Sequence, residues 1–561
     1  MRLSVLTLVG LLLTPVLRAQ ADPAFGDCAL GTAQVDLREA NVRARMFNTG
    51  GFFWKGGNAE YEVPKGSGLT SIFAAGLWMA GTIDGEIRAT WADYGDWEWR
   101  PGPLGPGGSA PSVASCEAAD RIWRVTVGDV AAYNAGGAPT DDLAEWPVAL
   151  GAPVVDGDGV AGNYDLAAGD RPAILGGETA WWVMNDRGAE HLNADTLPLG
   201  LELRVTAFAF PRSYTARRFS AGGGAFAAQM ARMTFYRFEI TNGNATDAID
   251  DLSVTWWSDV DLGDYQDDYV GSSPERDLAF AYNSDDDDAV SAAGYGDRPP
   301  AIGNVFLSDP MTGFMYYNSA SNPVNGNPSN GQQVYNFTHG LWRDGSLQTY
   351  GADGTNQNNP PWPFFFSDPP PGFWSEYDAS DAPGEQPNVP DDRRYVSYTT
   401  RDRLGPGETW TLDKAVVWAQ TDAAGPGAAF RSLDLLFSDV DRIQGIYEAV
   451  GLFAPDPSLR TVLPAGSEDE PELPDALGLG QRPRPHPVTA SSVLDVAVPD
   501  GVRASVEVFD ALGRRVAELP LRAGQETVAL GALDLAPGAY LARIAADGQV
   551  GSRIVQFIVA R

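Results

Sequence analysis

The sequence predicts a mostly β, multidomain protein: a β-sandwich-like body with long loops and one late amphipathic helix, then a small immunoglobulin-like β-sandwich. The chain has 561 residues, more than one compact domain usually holds. It contains 63 Gly and 41 Pro, and its apolar residues fall mostly in short runs bounded by turn residues. That pattern is typical of strands joined by turns.

Two segments of the body carry clear strand signals. Thr82-Ile83-Asp84-Gly85 separates the β-rich runs Ser71–Ala80 and Glu86–Tyr94. Because Gly tolerates the positive φ of a tight turn, the Asp-Gly pair predicts a hairpin. Within Met233–Thr241 the sequence alternates in a way that favours a half-buried strand: Tyr236, Phe238 and Ile240 alternate with Phe235, Arg237 and Glu239.

The late helix is predicted at Arg431–Val450. Its apolar residues recur at intervals of three and four, the spacing of an amphipathic helix that buries one face. This apolar stripe consists of Leu433, Leu436, Val440, Ile443, Ile446, Tyr447 and Val450.

Composition shifts divide the chain into five parts. Residues 464–487 are rich in Pro and poor in large apolar residues, which predicts a semi-extended linker. The full division is 1–21 signal peptide, 22–180 N-terminal β-rich region with an acidic loop, 181–463 β-sandwich-like body, 464–487 linker and 488–561 C-terminal domain.

The N-terminus has the pattern of an export signal. Arg2 precedes an apolar stretch from Leu3 to Leu17, and Ala19-Gln20-Ala21 offers a small-x-small cleavage site. The apolar stretch is too short to span a membrane, and no later stretch reaches the required length. We therefore expect a secreted protein with no transmembrane segment.

The net charge limits the classes of molecule that this chain can bind. The formal net charge is −35, which excludes nucleic acid as a partner because phosphates need Lys and Arg. Such acidity suits cation binding or solubility in saline surroundings.

The two cysteines, Cys28 and Cys116, are predicted to pair in an oxidising compartment; two separate thiols are the alternative.

The first candidate metal site is the loop that begins Asp156-Gly157-Asp158-Gly159. Carboxylates at alternate positions with interleaved Gly let a tight loop direct several oxygens inward, and calcium takes six to eight oxygen ligands. The spacing is not that of an EF-hand, and a solvated turn is the alternative. The predicted ligands are Asp156, Asp158, Asn163, Asp165 and Asp170.

The second candidate metal site follows an apolar run and holds five aspartates in ten residues. Clustered carboxylates repel one another unless they are solvated or share a cation. The predicted calcium ligands are Asp259, Asp261, Asp264, Asp267 and Asp268.

Signals of catalysis are sparse. The sequence contains no Gly-x-Ser-x-Gly and no His-Glu-x-x-His, and only three His. A glycosidase needs only two carboxylates, and tryptophan clusters could stack on an extracellular glycan, although such aromatics more often fill a core. We therefore expect a non-catalytic, calcium-stabilised binding or adhesion module, with a polysaccharide hydrolase as the alternative. The clustered tryptophans are Trp91, Trp97, Trp99, Trp181, Trp182, Trp256, Trp257, Trp362 and Trp374.

Residues 488–561 resemble a known family. Six short strand candidates separated by turns predict a small sandwich. They are Val493–Val498, Ala504–Asp510, Arg515–Pro520, Gln525–Leu530, Gly538–Ala546 and Val550–Val559. Within them, Val506–Val516 (VEVFDALGRRV) and Leu533–Leu541 (LDLAPGAYL) resemble two signature segments of the type A sorting domain of the type IX secretion system. The preceding Arg484-Pro485-His486-Pro487 departs from the opening Tyr-Pro-Asn-Pro that is usual there.

This resemblance implies an export address. Such domains are recognised by the type IX secretion machinery of Gram-negative bacteria, and the cargo is released or fixed to the outer surface. Phe47–Gly57, the Asp156 loop and Asp264–Tyr282 resemble uncharacterised bodies found ahead of such domains. That second resemblance implies a shared extracellular module and brings no activity.

Overall fold

In the computed structural model, the described residues are 25–94, 97–219, 223–288, 294–318, 322–370, 374–377, 389–447 and 451–455, together with strands and short connections between 478 and 559. The predicted signal peptide lies outside them. Among the described residues, no helix is both long and apolar enough to cross a membrane.

The first half of the body contains strands β1 to β15. Their bounds are β1 Gln34–Leu37, β2 Arg43–Phe47, β3 Gly51–Phe52, β4 Trp54–Lys55, β5 Asn58–Ala59, β6 Tyr61–Glu62, β7 Thr70–Ile72, β8 Ala74–Ile83, β9 Glu86–Thr90, β10 Arg100–Pro101, β11 Trp123–Thr126, β12 Val154–Val155, β13 Arg171–Pro172, β14 Glu178–Asn185 and β15 Leu201–Ala209.

The rest of the body and the C-terminal region contain β16 to β30. Their bounds are β16 Met233–Asn242, β17 Ile249–Val260, β18 Asp268–Ser273, β19 Leu278–Asn283, β20 Ala301–Phe306, β21 Gly313–Asn318, β22 Arg393–Leu404, β23 Thr409–Ala419, β24 Gly478–Leu479, β25 Val493–Ala497, β26 Ala504–Asp510, β27 Arg515–Leu521, β28 Thr527–Ala529, β29 Gly538–Ala546 and β30 Gln549–Val559.

Helices are few in the described residues. The α-helices are α1 Val113–Ala118, α2 Val127–Asn134, α3 Asp141–Ala144, α4 Arg212–Arg218, α5 Gly223–Met230, α6 Gly331–Phe337 and α7 Ala428–Tyr447. Short 3-10 turns lie at Pro106–Gly108, Val148–Leu150 and Pro274–Arg276. The predicted mostly β fold class is confirmed.

Two large antiparallel sheets form the body. The first has the order β21-β22-β17-β8-β3-β2-β6-β7, with β1 beside β2 and β9 beside β8. The second has the order β10-β14-β15-β16-β23-β20-β19-β18, with β11 beside β14. The predicted boundary at residue 180 falls inside β14, and both sheets draw strands from both sides of it. It therefore does not separate two sheets or two cores.

The two sheets pack against each other through aromatic side chains. Phe52 of the first sheet lies 6.3 Å from Trp182 and 6.5 Å from Phe238 of the second, between ring centroids. Buried residues of both sheets belong to one hydrophobic cluster. Each fully buried aromatic of this kind contributes about 1.5–3 kcal/mol to folding.

Helix α7 covers the outer face of the second sheet. Its residues Leu433, Leu436, Val440 and Ile443 are buried against Phe235 and neighbouring strand residues. The helix begins three residues before the predicted start at Arg431, and Val450 lies outside the described residues. The apolar stripe predicted from spacing therefore identifies the buried face.

The predicted hairpin is present, and the predicted strand Met233–Thr241 corresponds to β16. In β16, Phe235 packs under α7, whereas Tyr236, Phe238 and Ile240 face the inter-sheet core. Strands β8 and β9 pair across a turn in which Asp84 and Gly85 have φ of 53° and 79°. A turn with two positive φ values is the type that the Asp-Gly pair favours.

The C-terminal region contains two small antiparallel sheets, β24-β25-β28 and β27-β26-β29-β30. Leu494 and Val528 of one sheet share a core with Val506 and Ala542 of the other. Strand β24 lies inside the predicted linker, so residues 478–479 belong to a sheet. The remainder of the linker lies outside the described residues.

Candidate functional site

Three aspartates converge where β8, β17 and β22 lie side by side at one end of the first sheet. Asp259 is the penultimate residue of β17 and pairs with Ala74 on one side and Arg394 on the other. Asp261 follows that strand, and Asp392 immediately precedes β22. One carboxylate oxygen of each aspartate lies within 4.8 Å of the others. We call these three residues the Asp259 cluster.

One carboxylate of this cluster is held in place by protein groups. The Tyr94 hydroxyl donates a 2.5 Å hydrogen bond to Asp259 Oδ2, and Arg394 Nη2 lies 3.4 Å from the same oxygen. Arg394 Nη1 lies 3.1 Å from Asp392 Oδ1. By contrast, Asp259 Oδ1 is buried and has no hydrogen-bond partner. Buried polar atoms in proteins normally have a partner, so a carboxylate oxygen in this position calls for a hydrogen-bond donor or a cation.

The charges of the cluster are not balanced by its protein neighbours. Asp259 is 2% exposed, whereas Asp261 and Asp392 are partly exposed. Burial raises the pKa of Asp259 well above its usual range. Burial, with the charge of Asp392 adding to it, raises the pKa of Asp261 to about 7. Three carboxylates share the Arg394 guanidinium, so a divalent cation with oxygen preference fits the remaining charge.

The other predicted residues of this loop lie elsewhere. Asp264, Asp267 and Asp268, all within the described chain, do not join the Asp259 cluster; they gather near Asp288 in the connection that follows β19. The Asp264 backbone N–H donates to Asp288 Oδ1 at 2.8 Å, and the Leu262 N–H donates to Asp268 Oδ2 at 3.0 Å. The structure thus divides the second predicted ligand set into two groups.

Burial is the main cause of the raised pKa values in this second group of aspartates. Asp267 is 6% exposed, and neither of its carboxylate oxygens has a hydrogen-bond partner. Burial raises the pKa of Asp267 to about 7 and that of Asp288 to about 6. Asp268 is fully buried, and burial raises its pKa well above the usual range.

The Asp156 loop connects the paired strands β12 and β13. Oxygens of Asp156, Asp158 and Asp170 lie within 4.8 Å of one another. These carboxylates also accept backbone hydrogen bonds of the loop itself. Asp170, which is 1% exposed, accepts from the N–H groups of Gly157 at 2.9 Å and Asp165 at 2.7 Å. The loop is therefore largely satisfied by its own donors.

The two remaining predicted residues of this loop have different positions. The Asn163 amide donates to Asp158 Oδ2 at 2.9 Å and lowers the pKa of Asp158. The exposed Asp165 accepts from the N–H groups of Ala167 and Ala168 through Oδ1. Asp165 thus caps its own turn and is not in the three-carboxylate group.

Cys28 and Cys116 form a disulfide, with their Cα atoms 6.0 Å apart. Cys116 lies in α1, and Cys28 lies in the extended segment before β1. The bond ties residues that are 88 positions apart in sequence, so it fastens the N-terminal segment to the body.

Both histidines of the described body have their ring nitrogens against backbone carbonyls. His191 Nδ1 is 2.9 Å from the Ala89 oxygen, and Nε2 is 2.6 Å from the Asp186 oxygen. His339 contacts the carbonyl oxygens of Tyr335 at 2.7 Å and Asp251 at 2.9 Å. Neither ring has a nitrogen left to transfer a proton to a substrate.

Most of the clustered tryptophans are core residues. Those buried are Trp91, Trp99, Trp181, Trp182, Trp256, Trp257 and Trp374. Trp362 is 38% exposed, and Trp97 is partly exposed. Packing in the core thus accounts for the seven buried tryptophans.

Sequence reasoning missed Asp392, Arg394 and Tyr94. Asp392 is 131 positions from Asp261 and lies in a segment that looks irregular in sequence. Only the pairing of β17 with β22 brings the two together. The sequence does show an acidic residue directly before a strand. It does not show which other strand pairs with that strand.

The chain shows only weak similarity to known proteins. The chain matches no protein-family model, and no curated protein matches it. Among solved structures, a polysaccharide lyase is similar over 64% of this chain and 34% of its own, with 8% identity and a TM-score of 0.18. A likeness at this TM-score carries no argument about fold or function.

Proposed function

We propose that this chain is an extracellular protein of a Gram-negative bacterium, exported by a type IX secretion system, and that its body is a non-catalytic binding module stabilised by calcium. The observation that carries the calcium proposal is the Asp259 cluster: one carboxylate oxygen of each of the three aspartates lies within 4.8 Å of the others, and the buried Asp259 also has one oxygen, Oδ1, without a hydrogen-bond partner. Calcium would be held by Asp259, Asp261 and Asp392.

The chemistry of the donor set supports calcium over magnesium. Three carboxylates from two separate chain segments can supply oxygens singly or in pairs, and the partly exposed side leaves positions for water. Calcium accepts six to eight oxygens in flexible geometry, whereas magnesium demands a strict octahedron. The Asp156 loop is a second proposed site, whose carboxylates already accept backbone hydrogen bonds.

The alternative of a polysaccharide hydrolase is less well supported. Its paired carboxylates would have to reach a substrate, and Asp259 is 2% exposed with Oδ2 held by Tyr94. A retaining glycosidase also needs an unobstructed nucleophile near its acid, whereas here Arg394 lies against both Asp259 and Asp392. These contacts suit a structural cation site better.

The test is thermal melting of the mature protein at fixed ionic strength. Adding calcium after chelation should raise the melting temperature, since a ligand that binds only the folded state adds about 2.7 kcal/mol at a hundredfold excess over its Kd. Magnesium should restore less. Asp261→Asn should remove most of the response, and Asp434→Asn, at an exposed position on α7, should keep it. An unchanged melting curve on chelation would refute the calcium site.

Export is proposed from the resemblance of residues 488–561 and from the N-terminal pattern. Deleting residues 488–561 should leave the body in the periplasm with its signal peptide removed. Recovery of the truncated body outside the cell at the level of the full chain would contradict the sorting role.

A further inference from the structure

A row of aromatic rings leads up to the Asp259 cluster. Phe73 and Tyr94 lie 6.0 Å apart, Tyr94 and Trp54 6.2 Å, and Trp54 and Trp97 6.1 Å, between ring centroids. All four side chains are partly exposed while packing on the inter-sheet core. We call these four residues the aromatic row.

Tyr94 belongs to both features. Its hydroxyl bonds to Asp259 Oδ2, and its ring contacts Phe73 and Trp54. Arg394 Nε donates to the same hydroxyl at 2.5 Å. The ring is therefore fixed in position between the carboxylates and the rest of the row.

Trp54 is presented by a short hairpin. Strands β4 and β5 pair Trp54 with Ala59 and Lys55 with Asn58. Lys55 and Asn58, the neighbouring pair of this hairpin, are exposed, and the Asn58 amide donates to the Lys55 carbonyl oxygen. Apolar rings beside a few polar groups are the usual composition of a ligand site.

We propose that the calcium ion of the Asp259 cluster also binds ligand: its open coordination positions take adjacent hydroxyl groups of a neutral saccharide, whose ring lies on the aromatic row. This inference rests on the calcium site proposed above and names the ligand of that site. The three aspartates supply as few as three of the six to eight oxygens that calcium takes. Asp261 and Asp392 are partly exposed, so the cluster is not sealed from solvent on their side.

Charge favours a neutral sugar over an acidic one. Calcium and the Arg394 guanidinium together balance the three carboxylates, which leaves no surplus positive charge for an anionic ligand. The whole chain carries a net charge of −35, which repels polyanions. Apolar C–H faces of a sugar ring pack on aromatic rings, and hydroxyl oxygens are ligands that calcium accepts.

The experiment measures retardation of the mature protein in native gels that contain mannan, dextran or alginate, with calcium or with chelator. We expect retardation by at least one of the two neutral polymers in calcium only. Trp54→Ala should weaken it about tenfold, as loss of a central aromatic contact does, while the calcium-induced rise in melting temperature persists. Trp54→Phe should restore part of the binding, and the calcium-induced rise in melting temperature shows that each variant chain is folded.

Trp362→Ala is the matched control, since Trp362 is exposed but contacts Tyr350 and Phe364, outside the aromatic row. Its binding should equal that of the unaltered protein. Asp261→Asn should lose both the melting response and the retardation.

The inference is overturned if calcium raises the melting temperature but neither neutral polymer retards the protein, and the calcium site then stands alone. It is also overturned if retardation survives chelation or Trp54→Ala, or if only alginate retards the chain. Absence of any melting response to calcium refutes the calcium site itself, and the inference falls with it.

Discussion

The hydroxyl of Tyr94 donates a hydrogen bond to Oδ2 of Asp259, a residue 165 positions later in the chain. The bond joins the segment after β9 to the end of β17 and leaves Asp259 Oδ1 without a partner. Because Tyr94 bonds to one of the two oxygens, it fixes the orientation of this buried carboxylate. This relationship places Tyr94 among the residues that position the proposed metal centre.

Replacing Tyr94 with Phe should reduce stability. The change removes a hydrogen bond to a charged group and also the acceptor of the Arg394 Nε–H, so the free energy of unfolding should fall by about 1.5–3 kcal/mol. Urea unfolding in calcium measures it. Tyr265→Phe is the control, because Tyr265 is 44% exposed. A Tyr94→Phe chain within about 0.5 kcal/mol of the unaltered protein would show that the bond contributes little.

The Asp156 loop should depend on Asp170 whether or not calcium is present. The buried Asp170 accepts from two backbone N–H groups, one on each oxygen. Asn offers one acceptor oxygen, so Asp170→Asn leaves one of the two N–H groups without its partner inside the loop and should cost about 1–3 kcal/mol. Urea unfolding with calcium and with chelator should give similar losses. Asp165→Asn should have little effect, since that exposed residue uses a single oxygen.

A loss for Asp170→Asn that appears only in calcium would mean that this loop is primarily a metal site. The structural role argued from the two N–H groups would then be the smaller contribution. Unfolding of both variants in the two buffers therefore decides between the interpretations.

The disulfide should be complete and stabilising in the exported protein. Thiol titration of unfolded, non-reduced protein should find no free thiol, and two should appear after reduction, because the chain has two cysteines. The bond closes a loop of 88 residues, so replacing both cysteines with Ser should cost about 2–5 kcal/mol. Two titratable thiols without reductant would rule the bond out.

Local patterns in the sequence predict local elements well. The Asp84-Gly85 turn, the buried face of α7 and the alternation in β16 each follow from residues close together in the chain. In the C-terminal region the predicted strands Ala504–Asp510 and Gly538–Ala546 coincide with β26 and β29. Turn chemistry and periodicity act over a few residues, which is the range that these patterns report.

Long-range pairing is what the sequence leaves open. The pairing of β17 with β22 brings Asp392 to Asp261, and no local feature of either segment encodes it. Lys414 is a second case: its strand alternates like any other, yet its Nζ lies buried, 3.0 Å from Asn304 Oδ1. Burial lowers the pKa of Lys414, and only the packing of neighbouring strands reveals that burial. The sequence therefore predicted only part of each carboxylate group within a loop, such as Asp259 with Asp261, and it could not predict that Asp392 joins them from another segment.

Asp439 gives the fold a dependence on pH that is separate from calcium. It lies on α7, is 3% exposed, and its Oδ1 has no hydrogen-bond partner. Burial raises its pKa to about 6, although Arg232 and Arg442 act in the opposite direction. An aspartate in the unfolded chain has a pKa of about 3.9. The folded state therefore retains a proton that the unfolded state loses between about pH 4 and pH 6.

Asp439 destabilises the protein at high pH because its pKa is higher in the folded state than in the unfolded state. Below about pH 4 both states are protonated and Asp439 costs nothing; between about pH 4 and pH 6 the unfolded state ionises while the folded state keeps its proton, so stability falls progressively by about 3 kcal/mol in all. Asp439→Asn removes this titration, so it should stabilise the protein by up to that amount at pH 8 and by almost nothing at pH 4. Urea unfolding at both values, with chelator present throughout, measures the difference. Asp434→Asn, exposed on the same helix, should change little at either pH. If Asp439→Asn instead lowers stability equally at pH 4 and pH 8, the carboxylate acts through contacts with Arg232 and Arg442, and the cost of burying its charge is not the controlling effect.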